Sequence, residues 1–265
     1  MAEQQSIQSV DTALCILRAM ADVNRSMTLK EIAQAADMTP SNTHRYMVSF
    51  IRAHLVVQEI DTGRYDLGPA AIHIGLSAMA RTDAVTVATK VLVELRTELD
   101  LPVTLAMWTP EGPTTVRWLD ASQPLTVSVK VGSRSPLLTS AGGRVFLAFQ
   151  NEQLIQPVLA AELKMRRGRK ETKLVTMEEV SALQAEVRKR RLARVMGERV
   201  TGVHALSAPV FDAHGELVLS MSVVGLEHLI DANYDGPMAR AVADAAQRAS
   251  FFLGHRPSIV KTGHA

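Results

Sequence analysis

Two short helical segments, each opened by a capping residue, constrain the fold of this chain more than any other feature. In the first, Thr28 and Glu31 have the spacing of a capping box. In the second, Pro40 suits the first helical position, and Thr39 precedes it as a cap for the free backbone amides. The pattern predicts helices over 28–36 and 40–54, and their short separation is typical of a helix-turn-helix.

An amphipathic segment over residues 7–23 precedes this pair and is expected to cover its back. Its apolar stripe is expected to consist of Val10, Ala13, Leu14, Leu17 and Ala21, widened by Ile16 and Met20. The only cysteine, Cys15, lies inside this helix, so an intramolecular disulfide is impossible. We expect Cys15 to act as a small buried or half-buried hydrophobic side chain.

A hairpin is predicted directly after the second capped helix, over residues 55–67. Its turn, Asp61-Thr62-Gly63, contains a glycine that is free to take a positive φ. A hairpin in this position turns the motif into a winged helix-turn-helix. Arg64, next to the turn, either reaches a groove or phosphate or is merely solvated, and the sequence favours neither.

The helix that begins at Pro40 carries two arginines and no acidic residue on its polar face. Asn and Arg are the side chains that read adenine, guanine and phosphate. The segment therefore favours a helix that reads the major groove, although an ordinary polar surface helix is the alternative.

Composition limits the remaining possibilities. The chain has 265 residues, 47% of them hydrophobic and 21% charged, which is typical of a folded protein with two domains. We find no secretory leader pattern and no apolar run long enough for a bilayer, so we expect a cytoplasmic protein without membrane contact. The net charge of +2 does not by itself indicate nucleic-acid binding. Two basic runs, 164–170 and 188–191, either attract a polyanion or form solvated faces.

The second half of the chain combines strands and helices. Helices are predicted over 70–81, where an apolar excess suggests contact with another chain, and over 84–99 and 237–253. Strands are predicted over 103–108, 114–121, 125–131, 203–211 and 216–224, with helical segments between the third and fourth. This order indicates an α+β domain in which helices cover an antiparallel sheet.

Residues 136–144 of this domain combine small side chains with the expected start of a helix. Free amides and the helix dipole there favour an anion, whereas two glycines before a helix are as often a packing device. On the last two strands, small residues should line one face and leave room for a ligand cavity: Val203, Ala205 and Ser207 opposite Ser220, Ser222 and Val224.

With both halves considered, the sequence resembles the IclR family of transcriptional regulators from Ser9 to about Leu253. The matching stretches stand in the family's order: 9–17 (SVDTALCIL), 28–33 (TLKEIA), 40–45 (PSNTHR), 65–68 (YDLG), 136–144 (PLLTSAGGR) and 208–212 (APVFD). The resemblance implies a winged helix-turn-helix, a linker helix and a GAF-like effector domain, assembled as homodimers and often as dimers of dimers. The implied boundaries are 1–68, 69–82 and 83–254, followed by a tail over 255–265.

The resemblance also implies site residues. Those expected to contact double-stranded operator DNA are Thr28, Thr39, Ser41, Asn42, Thr43, His44, Arg45, Ser49 and Arg64. Those expected to bind a small organic acid effector are Val127, Ser140, Ala141, Gly142, Gly143, Glu198, Val203, Ala205, Ser220, Ser222 and Val224. Asn42 and Tyr46 replace residues common in the family, so the operator sequence is expected to differ.

The predicted pocket lacks one acidic residue that is common in the family, which makes it more apolar. A family pattern Asp-x-x-Glu reads Val195-Met-Gly-Glu198 here, so Glu198 matches and the first acid is lost. Together with Val127 and Val224, this change favours an aromatic or otherwise hydrophobic carboxylate as effector of a regulator of a catabolic operon.

Two alternatives remain at this point. An enzyme would have to use His204, His214 or His228, whose spacing provides neither a metal triad nor a Ser-His-acid set. The sequence also contains neither a Walker-type phosphate-binding loop nor a G-x-G-x-x-G motif. We therefore expect no catalytic residue, metal or cofactor. The other alternative is a DNA-binding protein whose second domain only oligomerises.

Overall fold

The computed structural model describes residues 6–23, 25–79, 81–122, 130–167 and 176–256. The chain divides into two compact units, Met1–Thr82 and Asp83–Ala265. In the described residues, no helix is long and apolar enough to cross a membrane.

The first unit is a three-helix arrangement followed by a hairpin and a fourth helix. Its elements are α1 (Gln8–Asp22), α2 (Leu29–Ala35), α3 (Pro40–Arg52), β1 (Val56–Gln58), β2 (Tyr65–Leu67) and α4 (Pro69–Met79). The predicted caps are confirmed: Thr28 and Glu31 form a capping box, and the Thr39 side chain accepts the amide of Asn42. Gly63 takes a φ of 66° in the hairpin turn, as predicted.

The core of this unit differs from the predicted stripe on α1. Ile16 and Met20 are the buried residues of that helix, whereas Val10 and Leu14 are exposed. The prediction for Cys15 is wrong, because its neighbour Ile16 faces the core and the thiol is exposed. Successive residues of a helix point about 100° apart, so burial of one side chain turns the next one outward.

The second unit is an antiparallel sheet covered by helices, as expected. Its elements are α5 (Ala84–Leu99), β3 (Val103–Thr109), β4 (Gly112–Leu119), α6 (Ala141–Phe149), α7 (Glu152–Arg167), α8 (Met177–Arg190), β5 (Ala193–Met196), β6 (Val203–Phe211), β7 (Leu217–Leu226) and α9 (Pro237–Phe252). The strand order is β4-β3-β7-β6-β5. Helices α5 and α9 pack on one face, α6 packs on the other, and α8 packs against α6.

The structure differs from the predicted strands in two places. Most of the predicted strand over 125–131 lies outside the described residues, and its last residue, Val131, is not in a strand. Strand β5 was not predicted: it is only four residues long and follows α8 almost directly. It pairs with the first half of β6, from Met196 opposite His204 to Ala193 opposite Ser207.

Candidate nucleic-acid interface and ligand pocket

The exposed face of α3 brings together most of the residues predicted to contact DNA. Thr39 and five residues of α3 are exposed: Ser41, Asn42, His44, Arg45 and Ser49. Met47 and Phe50 hold the opposite face of the helix in the core. The outward side therefore presents hydroxyl, amide, imidazole and guanidinium groups, with no carboxylate along the helix.

Three other predicted contacts lie elsewhere. The Thr43 side chain is fully buried and donates to the Thr39 carbonyl at 3.0 Å, so the expectation that it reaches DNA is wrong. The Thr28 hydroxyl is half-buried and is used within the capping box. Arg64 turns back from the hairpin and donates to the Ser26 carbonyl at 3.0 Å, rather than extending from the tip.

Glu31 holds the start of α2 and the hairpin together. Its carboxylate accepts the Thr28 amide at 2.7 Å, an Arg25 nitrogen at 2.9 Å and the Arg64 guanidinium at 3.5 Å. The hydrogen bond from the Thr28 amide has the largest effect and that from Arg25 the next largest, and together they lower the pKa of the Glu31 carboxyl to about 2. The wing is thus tied to the helix-turn-helix by an ionised carboxylate, and Arg64 has a structural partner.

In the second unit, the start of α6 lies directly on the sheet. Ser140 caps the helix, because its hydroxyl accepts the Gly143 amide at 3.0 Å, and the Ala141 and Gly142 amides have no intrahelical acceptor. A Cβ on Gly143 would lie 1.9 Å from the Pro136 carbonyl oxygen. Gly143 is therefore a packing residue.

Gly142 faces three serines of the sheet. A Cβ added to it would lie 3.0 Å from the Ser220 Oγ and 3.5 Å from the Ser222 Oγ. Ser222 donates to the Ser207 hydroxyl at 2.8 Å, which in turn donates to the Met221 carbonyl. Within the described part of the chain, the buried Ser220 hydroxyl has no hydrogen-bond partner.

Next to this contact lies a cavity of about 70 Å³. Six of the residues predicted to bind the effector form part of its wall: Ser140, Ala141, Gly142, Ala205, Ser222 and Val224. The sequence did not indicate five others, Thr104, Ala106, Thr115, Ser135 and Arg199. The structure thus combines small apolar side chains, several hydroxyls and one guanidinium around one space.

Arg199 is the most informative of the missed residues. It lies in the turn between β5 and β6, where Gly197 and Gly202 both take a positive φ, of 91° and 76°. Among the described residues, neither a carboxylate in the cavity wall nor an ion-pair partner of Arg199 is found. Two glycines within six residues could have indicated a turn here. Because β5 was not predicted, they were not recognised as the ends of a turn between two strands.

Of the other described residues predicted to bind the effector, Gly143, Glu198, Val203 and Ser220 do not line the cavity. Val203 starts β6 and pairs with Leu226, and Ser220 is buried under Gly142. Val127 lies outside the described residues. Val195, where the family acid is missing, packs with Ala141 and Ala205, so no carboxylate enters from that position.

Glu198 is directed toward Arg144 rather than into the cavity. Arg144 donates to Glu198 at 2.9 Å and to the Leu138 carbonyl at 2.9 Å, and it also binds the Arg194 carbonyl. Burial alone would raise the pKa of the Glu198 carboxyl, but attraction to Arg144 and backbone amide hydrogen bonds lower it. Glu198 therefore joins the start of α6 to β5 as an ionised partner of Arg144.

Of the histidines considered for catalysis, His204 lies on β6 and His228 lies in a turn just after β7. The His204 ring lies 4.0 Å from the Glu227 carboxylate, and His214 is in the exposed turn before β7. Among the described residues, no group of three or more His, Cys, Asp or Glu side chains could hold a metal ion.

The first unit is a winged helix-turn-helix whose helix α3 has no acidic residue, and the second is an α/β unit with an antiparallel sheet. This combination defines the class of two-domain DNA-binding regulators. Family models narrow this class: residues 9–59 match the IclR helix-turn-helix domain, and residues 76–251 match the bacterial transcriptional regulator IclR C-terminal domain. The chain belongs to the IclR family of transcriptional regulators, which are DNA-binding proteins and not enzymes.

Individual relatives agree with this assignment. The crystal structure of Pseudomonas aeruginosa HmgR is 32% identical, with a TM-score of 0.84 over 94% of this chain and 99% of that one. The transcriptional regulator BhcR of Paracoccus denitrificans is 29% identical and is matched over 94% of this chain and 88% of its own length. The repressor IclR of Escherichia coli is 25% identical, with 83% and 80% covered.

Proposed function

We propose that this regulator binds operator DNA through α3 and that a small organic acid in the cavity under α6 changes this affinity. We assign DNA binding to residues 1–68, a linker to 69–82, and effector binding with oligomerisation to 83–254. The target is a catabolic operon, because a regulator that senses an organic acid suits control of its breakdown.

The observation that carries the proposal is the placement of Arg199. A single guanidinium at the edge of a wall made of hydroxyls and small apolar groups suits a carboxylate attached to an apolar body. The amides of Ala141 and Gly142 add positive partial charge at the start of α6. We therefore propose that Arg199 pairs with the effector carboxylate and that Thr104 and Thr115 orient it.

Cavity volume bears on the size of the effector. A benzene-sized ligand occupies a cavity of ~150 Å³, about twice the volume present here. An aromatic acid, the class favoured by the sequence, would require the exposed turn over 197–202 to move outward. A short aliphatic acid fits with less movement, and a panel of both classes separates the two.

DNA contact is assigned to the exposed residues of α3. We propose that Asn42 and Arg45 read base edges or phosphate, with Thr39, Ser41, His44 and Ser49 beside them. Effector binding can shift the operator equilibrium only by its differential affinity for two conformations, typically ~1–3 kcal/mol.

We further propose a homodimer, with dimers of dimers as the higher form. The support is α4, on which Ile72, Ile74 and Leu76 each remain 60% exposed within their own unit. A helix-turn-helix protein reads two half-sites when it is dimeric. Light scattering over a concentration series tests this assignment.

The test combines fluorescence anisotropy on DNA from upstream of the gene with a salt series and the acids pyruvate, isobutyrate and benzoate. Arg199→Gln should weaken binding of the active acid by about 10- to 100-fold, the loss of one charge-assisted hydrogen bond. Arg248→Gln, an exposed arginine paired with Glu94, is the matched control and should change nothing.

Either of two results would contradict the proposal. Unchanged acid affinity in Arg199→Gln would remove the carboxylate partner. Specific operator binding that no acid alters, without any ligand-induced rise in melting temperature, would support a second domain that only oligomerises.

A further inference from the structure

A second cavity lies at the edge of the sheet, where β6 continues beyond the end of β5. Its volume is about 260 Å³, larger than that of the Arg199 cavity and sufficient for a ring-sized molecule. Ala208, Pro209 and Phe211 of β6 form one wall, and α9 contributes Gln247. No residue of this wall also lines the Arg199 cavity.

His255 provides an unused hydrogen-bonding atom in this wall. Its Nδ1 lies 3.2 Å from the Asp212 carbonyl oxygen, which can only accept, so Nδ1 carries the hydrogen. In the neutral ring, Nε2 is then an acceptor. Within the described part of the chain, this Nε2 is buried and has no hydrogen-bond partner. A buried acceptor is normally paired, so its orientation indicates a ligand that donates a hydrogen bond.

Arg191 supplies the charge. Its guanidinium carbon lies 4.8 Å from the centre of the Phe211 ring, and the His255 ring lies 5.2 Å from the same centre. Among the described residues, no carboxylate lines this cavity or pairs with Arg191. The other arginines of the basic run are engaged, since Arg188 donates to the Ala148 carbonyl and Arg190 lies near Glu186. Arg191 is left beside an aromatic surface.

We propose that this cavity is a second small-molecule site, for a ring-sized organic anion that carries a hydroxyl group. Its carboxylate pairs with Arg191, its ring packs beside Phe211, and its hydroxyl donates to the Nε2 of His255. The Gln247 amide offers a further polar contact. The site is independent of the Arg199 cavity and does not rest on the effector proposed above.

Isothermal titration of the full chain with 4-hydroxybenzoate tests the proposal, with benzoate and 4-hydroxybenzyl alcohol as ligands that lack the hydroxyl or the charge. We expect 4-hydroxybenzoate to bind more tightly than either analogue. Arg191→Gln should weaken it about tenfold or more. His255→Phe keeps a ring on Phe211 but removes Nε2, so it should abolish the preference over benzoate.

Arg248→Gln is the control, because Arg248 pairs with Glu94 and lines neither cavity, so this variant should leave the binding unchanged. Thermal melts of the variants report whether the fold is retained. Unchanged affinity in both Arg191→Gln and His255→Phe would overturn the second site, as would absence of binding up to millimolar concentration. Binding that disappears only in Arg199→Gln would overturn it as well, while supporting the effector cavity.

Discussion

Gly142→Ala is the substitution that most directly tests how α6 lies on the sheet. The new methyl group would lie 3.0 Å from the Ser220 Oγ, below a normal carbon–oxygen contact. Overpacking of this kind costs ~1–3 kcal/mol, while alanine in a helix gains ~0.5–1 kcal/mol over glycine. We therefore expect a net loss of about 1 kcal/mol, and at most ~2.5 kcal/mol, in the free energy of unfolding.

Ser220→Ala should reverse this loss. The Ser220 hydroxyl has no hydrogen-bond partner in the described chain, so its removal alone should be neutral or stabilising by up to ~1 kcal/mol. With that oxygen gone, the nearest serine oxygen to the new methyl is the Ser222 Oγ at 3.5 Å, an ordinary contact. The double variant should then show a coupling energy of ~1–3 kcal/mol, which is the overpacking cost caused by the Ser220 oxygen.

Urea unfolding followed by tryptophan fluorescence measures the effect in the relevant unit. Both tryptophans, Trp108 and Trp118, lie in the second unit, and the Trp108 ring is 5.8 Å from that of Phe146 on α6. Ser207→Ala is the control background, because the Ser207 Oγ would be 4.0 Å from the methyl and should give no rescue. Additivity of Gly142→Ala and Ser220→Ala within ~0.5 kcal/mol would show that the new methyl group does not collide with the Ser220 hydroxyl.

Three further predictions concern the first unit. Thr43→Val should lower the unfolding free energy of this unit by ~1 kcal/mol, because one buried hydrogen bond is lost. Operator affinity in anisotropy titrations should stay unchanged. A tenfold weaker affinity would contradict a purely structural role of Thr43. Arg45→Ala should weaken operator binding by ~1–3 kcal/mol without lowering the melting temperature, and unchanged affinity would remove α3 as the reading helix. The lowered pKa of Glu31 stabilises the folded state above pH 4.5, and this contribution is lost as pH falls toward about 2. Melts followed by circular dichroism should accordingly show a steeper acid dependence in this range for the wild type than for Glu31→Gln, and equal slopes would contradict the network.

Much of the candidate DNA interface could be predicted because its parts are local. A capping box depends on residues three apart, and a hairpin turn depends on one glycine with a positive φ. Burial was harder to predict: Thr43 is polar by type, but its hydroxyl is satisfied by the Thr39 carbonyl four residues earlier, so the side chain can enter the core.

The ligand cavity was predicted only in part. Small residues on β6 and β7 correctly indicated space beneath α6, since antiparallel pairing places Ala205 opposite Val224 and Ser207 opposite Ser222. Arg199 was missed because its position depends on β5, a strand too short for its sequence pattern to be recognised. Thr104 and Thr115 lie on β3 and β4, which are far from β6 in sequence. They were missed because the sequence pattern does not specify which strands are neighbours in the sheet.

The two-part organisation, the capped helices, the hairpin and the small-residue strands could all be predicted from sequence patterns, because these features follow from interactions within a few residues. Which polar groups remain available for ligands depends instead on how distant segments pack together. Arg64 meets Glu31 across 33 positions and Arg144 meets Glu198 across 54, which turns predicted contact residues into structural ion pairs. Arg199 and Arg191 have no such carboxylate partner among the described residues, and that difference arises only when distant segments pack together.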